Sequence, residues 1–413
     1  MSTAQPVTSV YREPGFLAFL IGRVLAVCAM QIQAVVVAWQ VYDQTRDPMS
    51  LAYVGLAQFI PMLLLLMPAG DLIDRFNRKS ILALSWLVEA GCAAALIAIS
   101  VTDAPVWTFY LTLIFYGAAR AFTGPALSSL LPQIVPRERL AAAIAANSMI
   151  MRGATIGGPV LGGALYALGG GELTYSVCLV FFLAGVVLLQ WVPVRFAEKM
   201  QFTESTAWQR FTAGIVFIRN RPVILGTISL DLFAVLLGGV VALLPIYASE
   251  VLEVGPTGLG LLRSAMAIGE VTVGFYLSMR PLNRQVGKVM FIAVAVFGFA
   301  NLVFSLSSLF WLSFVALLVA GGADMVSMYI RSSLIQFSTP DAMRGRVNAV
   351  NMLFIGSSNE LGEFRAGSMA AGFGAVPAAI IGSIGTLAVV GGWALGFKSL
   401  RQIDRFEDAS PKS

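Results

Sequence analysis

Twelve long apolar runs occupy most of this 413-residue chain, and they constrain its fold more than any other feature. The runs lie at about 15–42, 49–69, 80–101, 106–131, 139–168, 173–194, 222–249, 256–279, 287–308, 311–338, 346–372 and 376–398. A helix of about 20 residues crosses the ~30 Å hydrocarbon core of a bilayer. Because 58% of the residues are hydrophobic and only 12% are charged, the composition excludes an ordinary soluble domain. The sequence therefore predicts an all-α polytopic membrane protein with twelve transmembrane helices.

The basic residues predict how these helices are oriented. Both termini and the loops after spans 2, 4, 6, 8 and 10 carry about twenty Lys and Arg residues, whereas the opposite loops carry only Arg46. Cytoplasmic loops of membrane proteins are enriched in these residues. We therefore expect both termini to be cytoplasmic. The polar segment 1–14 has no apolar core or cleavage site of a signal peptide, so the first span is expected to direct insertion.

The two halves of the chain repeat each other. Residues recur at a nearly constant offset of 204 to 208 positions. The pairs are Arg23 and Asp231, Pro48 and Pro256, Pro136 and Pro340, Asn147 and Asn351, Gly158 and Gly362, and Gly163 and Gly367. A repeat of half the chain indicates a six-plus-six duplication, with a site at the repeat interface. We expect two pseudo-symmetric six-helix bundles, over 1–194 and over 222–413 with a short cytoplasmic tail, joined by a cytoplasmic linker with a short amphipathic helix over 195–221.

A short charged turn separates spans 2 and 3. It contains Gly70, Asp74, Arg75, Arg78 and Lys79. This order and spacing resemble the conserved loop between helices 2 and 3 of the major facilitator superfamily, with Asn77 in place of a second glycine. Asparagine tolerates positive φ better than most residues, so this departure is expected to be mild. The resemblance implies a conformational latch, in which Asp74 interacts with the positive N-terminal end of span 11.

Spans 4 and 5 resemble two further motifs of the superfamily. Arg120 in span 4 lies four residues before a glycine, and the resemblance implies that it faces the cavity and influences the protonation of nearby acids. In span 5, Gly158, Pro159, Gly162 and Gly163 form the pattern G-P-x-x-G-G, which resembles the motif of antiporters that export. Glycines at this spacing allow close helix packing, and proline permits a bend. The alternative is ordinary small-residue packing.

Twelve charged residues lie inside the predicted spans and away from the span ends, six of each sign. They are Arg23, Arg120, Arg152, Arg263, Arg331 and Arg365, and Glu89, Asp231, Glu270, Asp324, Glu360 and Glu363. An ion costs about 2.5–3.5 kcal/mol to insert, so we expect mutual pairing around a watery cavity. Either some of these residues couple transport to protons, or they are structural pairs that hold helices together.

Asp231 and Asp324 are the proton-coupling residues that the repeat favours. They are equivalent to Arg23 and Arg120, and equivalent positions of two such repeats are expected to face each other across a central cavity. Each acid would then have a cation that controls its protonation. The alternative is that these residues form fixed structural pairs.

Glu360 and Glu363 are further candidates for proton coupling. They lie three residues apart on span 11, and therefore on one helical face. Two nearby carboxylates are able to share a transportable proton. Alternatively, Glu363 pairs with an arginine of another span, and the sequence favours neither interpretation.

Several polar and aromatic residues are expected to line a substrate cavity. Gln31, Gln33 and Gln58 are unusual residues for lipid-facing positions, so we expect them to offer hydrogen bonds to a substrate. Tyr329 is a candidate for stacking on an aromatic substrate. Most other aromatic residues are expected to pack in the core or at the membrane interface.

The sequence also argues against several other functions. The chain contains no histidine, and its three cysteines lack the spacing of a metal site. It contains no G-x-x-x-x-G-K-[ST] loop, which excludes an ATP-driven pump, and its basic residues are dispersed over loops, which disfavours nucleic-acid binding. We therefore expect neither a metal nor a cofactor, and no enzymatic activity.

Nearly the whole chain resembles the enterobactin-exporter-like branch of bacterial major facilitators. The resemblance rests on residues 22–23, 39–43, 55–61, 344–347 and 358–362. It implies a monomer of the bacterial inner membrane that exports a siderophore or amphipathic drug in exchange for protons. An importer or lipid translocator of the same fold is an alternative. A non-transporting scaffold or receptor is an alternative of another class, but its expected marks, a large soluble extension or loss of the intramembrane charges, are not seen.

Overall fold

The computed structural model describes residues 7–194 and 207–409, which form helices and turns and contain no strand. Within these ranges, eight helical segments are long and apolar enough to cross a membrane. One of them, Arg137–Gln190, is 54 residues long and contains two of the predicted spans. Non-helical backbone angles at Gly169 and Gly170 mark the kink between these two spans. Three further predicted spans are helices of 28, 25 and 33 residues.

The first half of the chain contains five long helices. A 3-10 turn at Val7–Arg12 precedes α1 (Phe16–Thr45), α2 (Pro48–Arg75), α3 (Arg78–Thr102), α4 (Trp107–Ile134) and α5 (Arg137–Gln190). Residues that favour a turn or a cap mark the ends of these helices. Asp103, for example, terminates α3 in the left-handed conformation with φ 46°, which aspartate adopts more readily than most residues.

The second half begins with two helices in the region of the predicted linker and the seventh span. These are α6 (Ala207–Arg219) and α7 (Pro222–Gly238), and a helical stretch including α8 (Leu244–Ile246) extends the seventh span to Val251. The remaining helices are α9 (Gly255–Met279), α10 (Val286–Leu306), α11 (Phe310–Ser338), α12 (Asp341–Phe373), α13 (Ala375–Gly396) and α14 (Lys398–Arg401). A final 3-10 turn occupies Phe406–Ala409.

Contacts group the described residues into two compact units. Those of the first unit fall within Met1–Thr45, Leu56–Phe202 and Pro256–Gly260, and those of the second within Arg46–Gly55, Thr203–Gly255 and Leu261–Ser413. The start of α2 is therefore grouped with helices of the second half of the chain. The start of α9 is grouped in the same way with helices of the first half.

The repeat is visible in the backbone at equivalent helix starts. Pro136 precedes α5 with φ −58° and ψ 152°, and its equivalent Pro340 precedes α12 with φ −58° and ψ 151°. Proline fixes φ near this value and favours a helix start. The same residue therefore begins the same helix in both copies.

Equivalent glycines also make equivalent contacts. In the first unit, a Cβ added at Gly163 would overlap the carbonyl oxygen of Pro256. In the second unit, a Cβ added at Gly367 would lie 3.1 Å from the carbonyl oxygen of Pro48. The two glycines and the two prolines are the pairs that the sequence offset aligns.

The predicted linker is partly described. Residues 195–206 lie outside the described residues, and α6 occupies most of the remainder. Ile218 of α6 is buried in a cluster with Val347 and Val350 of α12. A Cβ added at Gly214 would lie 2.8 Å from the carbonyl oxygen of Arg346. The short helix predicted for this region is therefore packed against α12 within the second unit.

Candidate functional site

The charged turn contacts helix ends of the first unit through two of its cations. Lys79 Nζ donates to the carbonyl oxygens of Gln190 and Val192, each at 2.9 Å, at the C-terminal end of α5. A cation at a helix C-terminus interacts favourably with the helix dipole. Arg78 Nη1 makes a longer contact of 3.4 Å to the carbonyl oxygen of Ser129 in α4. The turn therefore ties α3 to α4 and to the end of α5.

Asn77 is the N-cap of α3 and has φ −65° and ψ 114°. Its Oδ1 atom accepts a hydrogen bond from Lys79 N at 2.9 Å. A capping residue needs this extended conformation and an acceptor side chain, and asparagine is one of the best N-caps. The tolerance of asparagine for positive φ is therefore not the reason that it replaces glycine at this position.

The remaining residues of the predicted latch are less constrained in the first unit. A Cβ added at Gly70 would meet no atom within 4 Å, and Arg75 is exposed. The side chain of Asp74 is not among those that the structure describes. Its interaction with the N-terminal end of span 11 stays a prediction.

The glycines of the antiporter-like motif lie where α5 closely approaches other backbones of the first unit. A Cβ added at Gly158 would lie 2.5 Å from Gln31 Cβ, and one at Gly162 would lie 3.1 Å from Ile32 Cα. Gly163 faces the start of α9, as described above. Every one of these added atoms would be too close to a neighbour, so the sequence pattern provides the close approach that it predicts.

The start of α9 approaches the same stretch of α5 through a glycine of its own. A Cβ added at Gly260 would overlap the carbonyl oxygen of Pro159. Because Pro159 is inside α5, it also leaves one carbonyl of the preceding turn without its helical donor. The motif therefore combines a side-chain-free face with a point at which the helix can bend.

Glu360 and Glu363 face the same position on α2 in the second unit. A Cβ added at Gly55 would lie 3.8 Å from Glu360 Oε2 and 3.7 Å from Glu363 Oε2. Both carboxylates are therefore within reach of a single point on the helix surface. Arg365 points towards α13 instead, because its two terminal nitrogens would lie 3.0 Å from a Cβ added at Gly382.

Asp231 forms an ion pair with Arg331 of α11, within the second unit. Only 5% of the Asp231 surface and 4% of the Arg331 surface are exposed, so both charges are removed from solvent. The repeat predicted that Asp231 would be controlled by Arg23, whereas the contact that the structure provides is with Arg331. Asp324 is half-buried on α11, seven residues before Arg331. The proton-coupling roles of Asp231 and Asp324 stay predictions.

Arg120 belongs to a polar group between α2, α3 and α4. It donates to Gln58 Oε1 at 3.4 Å, and its guanidinium lies 5.9 Å from the ring centre of Tyr116. On α3, Glu89 is fully buried and accepts a hydrogen bond of 3.0 Å from Thr123 Oγ1 of α4. Thr123 therefore joins the helix of Arg120 to Glu89. The pairing of Arg120 with Asp324 of the other half stays a prediction.

The predicted cavity residues have different surroundings. Gln33 is 1% exposed, and neither its Oε1 nor its Nε2 has a hydrogen-bond partner among the described residues. Gln31 packs against Gly158, as described above. Arg23 is half-buried, and within the described ranges its buried Nε has no hydrogen-bond partner. Tyr329 packs edge-on against Phe406 of the C-terminal segment, with 6.0 Å between ring centres.

The structure also brings in residues that sequence analysis did not select. Asp404, after α14, accepts a hydrogen bond from Gln285 N at 3.0 Å, and its carboxylate lies 3.7 Å from Arg284 Nε. Its carbonyl oxygen accepts from Val286 N at 3.1 Å. The turn that contains Arg284 has lost the acidic residues of its first-half equivalent. The absence of acidic residues from this turn is the sequence feature that could have indicated a carboxylate partner from another segment.

The long helices, their two repeats and their buried ions define a membrane transporter of the major facilitator type. A family model described as transmembrane secretion effector matches residues 7–412. The chain belongs to this family. Because its members are transporters, the predictions of the superfamily, of the all-helical fold and of a transporter that is not an enzyme are confirmed.

Two relatives of similar length support this assignment. The enterobactin exporter EntS of Citrobacter koseri is 25% identical over 418 residues, which cover 97% of this chain and 95% of that protein. EntS of Salmonella paratyphi A is 25% identical over 417 residues, with 97% and 96% covered.

Solved structures share the fold. A bacterial homologue of the iron transporter ferroportin in the inward-facing state has a TM-score of 0.72 and 19% identity, covering 97% of this chain and 100% of that one. A bacterial homologue of the lysosomal transporter Spinster in an inward-facing, unoccupied conformation has a TM-score of 0.71 and 16% identity, with 98% of each chain covered.

Proposed function

We propose that this protein exports an amphipathic small molecule, of the catecholate siderophore or drug-like kind, across the bacterial inner membrane in exchange for protons. Alternating access would expose the binding site to one side and then to the other. The names of the EntS relatives support the cargo class, and the secretion-effector family supports the direction. A monomer, with bundles over 1–194 and 222–413 and the linker over 195–221, is part of the same proposal.

The close packing of α5 is the observation that carries the antiport proposal. Gly158, Gly162 and Gly163 each face another backbone or a Cβ at distances that exclude a side chain. Pro159 interrupts the same helix. A helix that packs closely on one face and can bend at one point suits a movement between two facing states. If α5 had the same glycines but no proline, it would pack as closely without a point at which to bend, and static packing would be the better interpretation.

The charged turn is proposed to latch the cytoplasmic side in one of these states. Lys79 and Arg78 contribute through the helix-end contacts described above, and Gly70, Asp74 and Arg75 complete the group. The dipole interaction proposed for Asp74 is worth about 0.3–1 kcal/mol in an exposed position. An interaction of this size biases a conformational equilibrium without locking it.

Proton coupling is proposed to use the intramembrane carboxylates. The common orientation of Glu360 and Glu363 towards Gly55 supports a role in sharing a proton. Asp324 stays a candidate with Arg120 and Arg23 as cations that tune protonation, whereas the ion pair with Arg331 weakens the case for Asp231. Gln31, Gln33, Gln58 and Tyr329 are proposed to surround the substrate.

Transport into everted membrane vesicles tests this proposal, with radiolabelled enterobactin as the probe. An exporter that exchanges substrate for protons accumulates the probe when the vesicle interior is made acidic. We expect Gly163→Ala to lose this uptake, because the added methyl group overlaps the Pro256 carbonyl. We expect Gly157→Ala to keep it, because a methyl group added there meets no atom within 4 Å beyond the adjoining backbone of its own helix. Wild-type protein that ignores the pH gradient would refute antiport, and uptake only into right-side-out vesicles would establish an importer.

The orientation needs its own measurement. Asp103 is exposed at the end of α3, in a loop predicted to be outside the cell. Asp103→Cys should react with an impermeant thiol reagent in intact spheroplasts. Reaction only after lysis would place both termini on the outer side.

A further inference from the structure

Glu89 is a fully buried acid of the first unit that is not among the coupling residues named above. It is 0% exposed and lies in the middle of α3. Thr123 Oγ1 donates to Glu89 Oε1, and Glu89 Oε2 is buried with no hydrogen-bond partner among the described residues. Arg120 of the same neighbourhood donates to Gln58. A buried carboxylate with one neutral donor is poorly compensated in its charged form.

Thr123 is able to serve both protonation states of this acid. Its oxygen lies 3.0 Å from Glu89 Oε1 and 3.3 Å from the carbonyl oxygen of Ala119, and a hydroxyl has one proton to donate. With Glu89 charged, Thr123 donates to the carboxylate. With Glu89 neutral, the new carboxyl O–H donates to Thr123 Oγ1, and Thr123 donates to Ala119. Neither state leaves the threonine without a hydrogen bond.

The surroundings of Glu89 contain several other titratable or charged groups. They are Arg120 and Tyr116 of α4 and Cys92 of α3, and Cys178 of α5 lies beyond Tyr116. The tyrosine and both cysteines are buried and uncharged in their protonated forms. Arg120 is half-buried and is the cation of the group. Its hydrogen bond is to Gln58 of α2, which is half-buried as well.

We infer that Glu89, with Thr123, is a proton-binding site of the first unit, loaded and unloaded during transport. The carboxylate takes one proton from water on the side to which the transporter is open, an O–H bond forms, and the same bond breaks when the proton leaves to the other side. This inference rests on the proposed proton antiport. It places one proton site in the first unit, in addition to the carboxylates of α12 in the second.

Infrared difference spectroscopy on the purified full-length protein in lipid nanodiscs tests the site without relying on transport. A protonated buried carboxyl gives a C=O stretching band that disappears when the pH is raised far enough. We expect Glu89→Gln to remove one such band, and the matched variant of an exposed residue of the same unit, Glu172→Gln, to leave it unchanged. Thr123→Val should shift the frequency of the band, because it removes the hydrogen-bond partner. A full band in Glu89→Gln, or an unshifted band in Thr123→Val, would overturn the assignment.

Transport then tests the coupling. Glutamine keeps an acceptor for Thr123, so Glu89→Gln should retain counterflow exchange of enterobactin while its gradient-driven uptake falls to the rate measured without a pH gradient. Full gradient-driven uptake by Glu89→Gln would overturn the coupling role. Wild-type protein in the same vesicles separates the two proposals. If its uptake is the same with and without a pH gradient, the proposal of proton antiport is wrong. The infrared bands then still decide whether Glu89 binds a proton.

Discussion

Replacement of Asp231 by asparagine tests whether its ion pair with Arg331 is structural or takes part in proton coupling. The two residues come from α7 and α11, and both are almost completely buried. Arg331 Nε is already buried without a hydrogen-bond partner in the part of the chain that the structure describes. The Asp231 carboxylate is therefore the compensating charge that the described structure provides for this guanidinium.

The cost of the substitution follows from this burial. Asp231→Asn keeps the size of the side chain but leaves a cation buried without its counter-ion, which typically costs about 3–5 kcal/mol. Replacing both partners, as in Asp231→Asn with Arg331→Met, removes both charges and should cost less than Asp231→Asn alone. The expected coupling energy between the two positions is about 0.5–3 kcal/mol, as for other residues in direct contact.

Equilibrium unfolding in mixed detergent micelles of increasing denaturing-detergent content measures these energies for the single and double variants. Asp103→Asn is the matched control, because it is the same chemical change at an exposed position at the end of α3. We expect a much smaller loss of stability for this control. The same proteins are then assayed for pH-driven enterobactin uptake, so that stability and coupling are measured on one set of variants.

Two results would refute the structural interpretation. One is an Asp231→Asn protein that is as stable as the wild type but exchanges substrate without responding to a pH gradient, since that behaviour identifies a proton carrier. The other is additive energies in the double variant, because two residues that compensate each other's buried charge cannot be energetically independent.

Three other predictions concern the helix ends and α12. Lys79→Met should lower stability by about 0.3–1 kcal/mol, measured by thermal unfolding in detergent, because it removes a cation from the C-terminal end of a helix. Asp404→Ala should cost about 0.5–1.5 kcal/mol, as for the loss of a hydrogen bond, and should make the C-terminal segment more sensitive to limited proteolysis; unchanged cleavage would contradict its contact with Gln285. Glu360→Gln combined with Glu363→Gln should abolish pH-driven uptake and retain counterflow, and coupling that survives in the double variant would exclude this pair as proton carrier.

The twelve-helix fold was predictable because its main determinant is local in the sequence. Each span reads as an apolar run of membrane length, and the repeat appears as a constant offset between prolines and glycines. Those residues have specific backbone requirements, so they recur wherever the backbone does. Pro136 and Pro340 begin equivalent helices with nearly identical angles, and Gly163 and Gly367 meet equivalent prolines.

The partners of the buried ions were not predictable in the same way. A sequence shows that Asp231 lies inside a span, but its partner depends on the rotation of α7 and on which helices adjoin it. The repeat suggested Arg23, whereas Arg331 lies 100 residues further along the chain. Glu89 and Thr123 are likewise joined only by the packing of α3 against α4. Periodicity assigns a residue to a face, and only the packed structure assigns that face to a neighbour.

The two charged turns show how the repeats preserve a contact while the residues that make it change. In the first unit, the turn between α2 and α3 binds the chain as it leaves the sixth span, through Lys79 and the carbonyl oxygens of Gln190 and Val192. In the second unit, the turn before α10 binds the chain after the twelfth span, through backbone N–H groups that donate to Asp404 and Ile403.

In one unit the turn supplies a positive side chain to carbonyl groups at a helix end. In the other, the departing chain supplies a carboxylate and carbonyl groups to the N–H groups at a helix start. The sign of the side chain is reversed, as the helix dipole requires at opposite ends of a helix. The second turn has no acidic residue of its own, but Asp404 of the C-terminal segment brings a carboxylate to it. In both repeats this contact holds the segment after the last span against the start of the third, so the unequal charge of the two turns is compatible with equivalent packing.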